Sequence, residues 1–82
     1  MASTAFQITE DDVENVLRRH SLRVSNTQGK SFAEMAGVLF DDLDHGRVER
    51  AALTASSDLE EQTLGAYEEI KVILVEMGVL TL

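Results

Sequence analysis

The 82-residue chain has no cysteine and no proline, and its aromatic residues are three phenylalanines and one tyrosine. Without cysteine, neither a disulfide framework nor a thiolate metal site can staple the fold, so stability must come from packing. A sheet sandwich normally shows proline-marked turns and aromatic strands, and both are scarce here; the many Ala, Leu, Glu and Val residues favour helix instead. Long apolar runs are also missing. No stretch approaches the roughly 20 residues that span a bilayer, and the opening "MASTAFQ" lacks the basic start and apolar core of a secretory signal, so a cytoplasmic chain without membrane contact is expected. Cations are the last shortage: seven Lys and Arg face fifteen Asp and Glu, a formal charge of −8. That balance repels DNA, RNA and anionic lipid unless the cations share one face, and no direct nucleic-acid binding is expected.

What is present is a set of helix signals. Residues 1–7 carry no cap and no periodicity and read as a flexible lead-in; residues 8–82 read as a single helical domain. Thr9 is placed to cap a first helix, with Glu10, Asp11 and Asp12 in its first turn and Ile8 and Val13 at the spacing of a hydrophobic staple. Val13, Val16 and Leu17 form its stripe, and Arg18, Arg19 and His20 complement its C-terminal dipole. The segment "RRHSLRVSNTQGK" holds four of the seven cations and reads as a loop, with "SLRVS" alternating like a short extended piece.

Ser31 and Glu34 have capping-box spacing for a second helix, and Phe32, Met35, Ala36, Leu39, Phe40 and Leu43 recur at intervals of three and four, which predicts a buried face. Gly46 weakens helical continuation, Asp44 can cap a new helix beyond it, and Leu43 with Val48 repeats the staple. This short third helix, running to about Ala55, carries Val48, Ala51, Ala52 and Ala55, small side chains that permit a neighbouring helix to come close. Ser57 with Glu60 predicts a capping box for a last helix lined by Leu59, Thr63, Ala66, Tyr67, Ile70, Ile73 or Leu74, and Met77. Gly78 is its stop, with Val79 folding back on Leu74. The fold expected is all-α, a small three- to four-helix bundle. In "IKVILVEM" Val72 and Val75 lie off the main stripe, so this helix is either central in the bundle or a homodimer interface, and the central reading is preferred.

Several chemistries can be tested against the spacing. "GKS" copies the end of a phosphate loop, but Val24 stands where the first glycine belongs, and the required strand and parallel sheet do not fit. What remains is anion binding at Gly29, Lys30 and Ser31 through a helix N-terminus. "DDLDHG" fails both calcium-loop registers, because Leu43, His45 and Ala52 or the final Leu53 fall at ligand places. Asp41 and His45 could share a face toward a divalent metal, but a solvated helix end is the preferred reading, and no metal or other cofactor is expected. His20 has no partner at triad spacing, and the glutamates of the last helix read as a solvated face, so no catalytic residue and no enzyme is expected. A helix-turn-helix through residues 31–55 with Arg47 and Arg50 is opposed by Asp41, Asp42 and Asp44 beside it. About 80 acidic residues in four helices with serine caps also resemble, in outline, an acyl carrier protein. That family attaches phosphopantetheine to serine in an Asp-Ser-Leu setting, whereas "SSDL" places Asp58 after Ser57, and a carrier-like or cofactor-binding accessory subunit is the alternative reading.

Charge asymmetry leads the functional reading. Residues 31–46 hold Glu34, Asp41, Asp42 and Asp44 with no Lys or Arg, and residues 58–77 hold six acids against Lys71. An acidic face built from Asp41, Asp42, Asp44, Glu61, Glu68 and Glu69 would suit a basic partner protein, or a mimic that occupies a nucleic-acid-binding groove. The expectation is a small non-enzymatic interaction or regulatory module.

Overall fold

Four α-helices form at the capping signals in a computed structural model that describes residues 6–25, 27 and 29–81. They are α1 (Glu10–Arg19), α2 (Phe32–Asp42), α3 (His45–Ala55) and α4 (Leu59–Glu76), with one 3-10 turn at Ser21–Arg23. The architecture is a small all-α bundle, with no strand among the described residues. Residues 1–5 of the lead-in lie outside the described part; Phe6, the first residue after them, is buried in the core.

Each helix begins where a side-chain oxygen meets orphan amides. Thr9 caps α1 in a box with Asp12, whose carboxylate accepts from the Thr9 amide at 2.9 Å. Ser31 and Glu34 form the box of α2, and Asp44 caps α3 by accepting from the Arg47 amide at 3.1 Å. Both staples close, since Ile8, Val13, Leu43 and Val48 are all buried. The start of α4 departs from expectation. Asp58, not Ser57, is its cap and accepts from the Glu60 amide at 3.2 Å, while the Asp58 amide donates to the Ser56 hydroxyl at 3.0 Å. A carboxylate beats a neighbouring hydroxyl here because the helix N-terminus carries partial positive charge.

The end of α4 is a Schellman turn. Gly78 takes φ +80°, its amide donates to Val75, and the Val79 amide donates to the Leu74 carbonyl at 2.8 Å. The chain then pairs with the segment after α1: Val24 bridges Leu80 in antiparallel sense, Ser25 donates to Val79 and Thr81 donates to Arg23. In "SLRVS", therefore, Ser21 to Arg23 coil and only Val24 onward is extended.

Helix α4 packs against both α3 and α1, and α2 joins the bundle chiefly through α1. Val13, Val16, Leu17, Ile70, Leu74 and Leu80 form the fully enclosed centre, flanked by Met35, Ala36 and Leu39 of α2. Phe32 and Phe40 pack on its edge, half-buried. Leu59 and Met77, expected on the inner stripe, are exposed, because the ends of α4 overrun its neighbours. In their place Gln62 is buried, at 3% exposure. Its amide group donates to the Ser56 carbonyl at 2.9 Å and accepts from the Phe6 amide at 3.1 Å, which ties the N-terminal segment to the α3–α4 connection.

The small face of α3 does receive a close neighbour. A Cβ built on Gly65 of α4 would stand 2.8 Å from the Ala55 Cβ and 3.8 Å from the Ala52 Cα. Gly37 of α2 is less confined, with only the flexible end of Glu10 at 3.4 Å. Replacing helical glycine by alanine gains about 1 kcal/mol of propensity, whereas overpacking costs about 1–3 kcal/mol. Gly65→Ala is therefore expected to destabilise by about 1 kcal/mol net and Gly37→Ala to stabilise by about 0.5 kcal/mol, read as urea midpoints of the two variants. For Gln62→Ala, which leaves the buried Phe6 amide and the part-buried Ser56 carbonyl without this partner, a loss of about 2 kcal/mol is expected in the same measurement.

Candidate functional site

The corner between α2 and α3 gathers three acids, Asp41, Asp42 and Asp44, within four consecutive residues. Leu43 is buried and pins the chain there, Asp44 turns it into α3, and Asp41 and Asp42 become the last two residues of α2, both exposed. The His45 ring N–H donates back to the Phe40 carbonyl, one of the orphan acceptors at the α2 C-terminus, and the two rings stack with centroids 4.3 Å apart. This histidine is thus used in holding the corner. Neither Asp41 nor Asp42 has an ion pair among the described residues, and the helix C-terminus beside them carries partial negative charge.

Two residues join this surface without having been signalled by the sequence pattern. Val38, 52% exposed, lies one turn before Asp41 and Asp42 on the outer side of α2. Glu10 of α1 reaches Gly37, which shares a face with Asp41. The absence of a side chain at Gly37 is the signal that such a crossing is open. No metal-binding group of three or more His, Asp or Glu side chains forms among the described residues.

The other acids of the expected face are already occupied. Glu69 receives Arg47 Nε at 2.5 Å, and the same guanidinium reaches both oxygens of Glu76 at 3.0 and 3.1 Å, clasping α3 to α4. Glu68 pairs with Lys71 at 3.1 Å on the outer side of α4. Glu61 accepts from the Ser56 hydroxyl at 2.8 Å, at the opposite end of α3 from Asp44, a helix length of about 17 Å away. The structure thus groups Asp41, Asp42 and Asp44, reaches Glu69 through Arg47, and sets Glu61 and Glu68 apart.

At the expected anion site, Gly29 has φ +77° and the Lys30 amide closes a turn on Thr27 at 3.0 Å. The Ser31 amide donates to the Glu34 carboxylate at 3.0 Å, and the Ser31 hydroxyl accepts from the Glu34 amide at 3.2 Å. The chain's own carboxylate therefore fills the helix terminus where an outside anion would sit. Ser31 is the main cause, and Lys30 a lesser one, of a Glu34 carboxyl held below its ordinary value.

Glu76 is likewise held low, first by the hydrogen bonds from Arg47, whose own value is pushed up by Glu76 and Glu69. A carboxylate held below its ordinary 4.5 contributes stability above that value and loses it as pH falls through the folded value. The urea midpoint is therefore expected to drop on acidification below about pH 4.5, with a smaller drop in Glu76→Gln; equal drops in the two proteins would remove the clasp as the cause. Compared with models of known families, with curated proteins and with solved structures, the chain matches none.

Proposed function

We propose that this protein is a small non-enzymatic interaction module that presents the α2–α3 corner, Asp41, Asp42 and Asp44 with Val38 beside them, to a basic protein partner. The observation that carries the reading is the position of Asp41 and Asp42. Acids in the last turn of a helix oppose its dipole, at about 0.5 kcal/mol each when exposed, and a pair that makes no ion pair among the described residues has no such bond to offset that cost. Most other acids of the chain cap a helix or pair with a cation; these two do neither. Exposed carboxylates around one apolar side chain favour a partner that brings Lys or Arg around an apolar contact, with charge speeding the encounter and setting orientation. The chain's formal charge of −8 acts in the same direction.

Capture from native lysate tests this with two equal-charge doubles. The wild-type protein is expected to retain a basic protein that is released by about 0.5 M salt. Asp41→Asn with Asp42→Asn should lower that retention at least tenfold while raising thermal stability slightly, since the dipole conflict is relieved. Glu60→Gln with Glu61→Gln, at the far end of α4, should leave retention within about twofold. Equal retention by both doubles, or retention indifferent to salt, would count against the corner.

A further inference from the structure

The outer side of α4 is a second surface, whose apolar and charged places are spaced alike in both directions while its two charges exchange sign. Leu64 is 52% exposed, Val75 36% and Val72 39%, although α4 packs against α3 and α1 with its other sides. Leu64, Glu68, Lys71 and Val75 succeed one another at spacings of four, three and four, which aligns them in a single seam along the helix. Glu68 and Lys71 occupy the middle of that seam and pair with each other within the chain at 3.1 Å. Leu64 and Val75 stand at equal distances on either side of the point between Glu69 and Ile70, and Glu68 and Lys71 do the same.

We propose that this face is an isologous self-association surface, on which α4 of a second copy lies antiparallel with the two-fold axis passing between Glu69 and Ile70. In that register Leu64 meets Val75 of the second copy at both ends of the seam. Glu68 meets the Lys71 of the other copy, so the two in-chain pairs merge into a four-charge box. Val72 flanks Lys71 and adds apolar surface at the edge. Charge complementarity selects the orientation: a parallel pairing would set Glu68 against Glu68 and Lys71 against Lys71. The seam is electrically neutral, so the −8 carried by each copy does not concentrate at it.

A seam from Leu64 to Val75 is only about 17 Å long, and two chains of like net charge repel, so the dimer is a weak one that forms at high protein concentration. The inference is independent of the acidic-corner reading, because Asp41 and Asp42 lie on α2 outside the seam. Changing them leaves it intact.

Sedimentation from about 10 µM to about 2 mM is the first measurement, and the wild-type chain is expected to pass from monomer to dimer in that range. Lys71→Glu, which turns both cross-pairs repulsive in the antiparallel register, should weaken the association at least tenfold. The double swap Glu68→Lys with Lys71→Glu should restore it to within about threefold of wild type. Circular dichroism melts of these surface variants check that each remains folded. Orientation is read by oxidation in a chain that has no native cysteine. Leu64→Cys mixed with Val75→Cys should cross-link between the two variants at least tenfold faster than Leu64→Cys with itself. A wild-type protein that stays monomeric at about 2 mM, or Leu64→Cys chains that cross-link fastest with each other, would overturn the proposal.

Discussion

The burial of the inner side of α4 against two different helices is the constraint on which the rest depends. Ile70, Leu74 and Ala66 have no exposure, and the helix that carries them packs against both α1 and α3. Each large side chain enclosed in this way contributes about 1.5–3 kcal/mol, a large share of what an 82-residue chain without disulfides can muster. Polar stitches then set the angles. Tyr67 of α4 accepts from Asn15 at 3.0 Å, donates to Asp12 at 3.3 Å and lies under the Arg19 guanidinium, so one residue fixes α1 along its length. Arg47 does the same for α3 through Glu69 and Glu76. Because α4 satisfies two partners at once, its third side is free to face outward.

Much of this order is local, and local order is legible. Thr9, Ser31, Asp44 and Gly78 each announce a helix end by a side chain or backbone preference that acts within four residues, and the structure uses all four. The stripe of α2 is legible for the same reason, since spacing alone decides which residues share a face. What escapes is whatever depends on where a helix sits relative to others. Leu59 and Met77 have the right phase yet extend past their neighbours, so they stay exposed. Gln62 has the phase of the core and the chemistry of the surface, and only the approach of Phe6 and Ser56 resolves that conflict. Ser57 and Asp58 both suit a cap, and the choice between them turns on charge at the helix terminus, which spacing does not measure.

The same distinction applies to the candidate surfaces. Composition reveals that acids are abundant, but not which of them are already engaged. Glu34 closes a capping box, Glu69 and Glu76 hold Arg47, Glu68 holds Lys71 and Glu61 holds Ser56; each therefore has a local partner. A net charge is thus a poor guide to a field. Subtracting the occupied carboxylates leaves the end of α2 as the place where negative charge is both exposed and unfavourably placed for the helix that carries it. Glu10, lying across Gly37, adds a third carboxylate from another helix to the same side.

The corner and the outer side of α4 differ in kind, and the difference comes from how their charges are arranged. At the end of α2 Asp41 and Asp42 carry one sign of charge, which attracts a basic surface. Along the outer seam of α4 Glu68 and Lys71 lie on either side of a midpoint, and the proposed pairing would draw on that opposition of sign. The two arrangements are also compatible in space, because Asp41 and Asp42 stand on α2, which meets the bundle through α1 and not through the exposed side of α4. Pairing through α4 would place two acidic corners on one particle, and a partner with two basic segments would then engage the second at the high effective concentration set by the first. Self-association that is weak by itself would in that way raise the avidity of the acidic surface without any further contact.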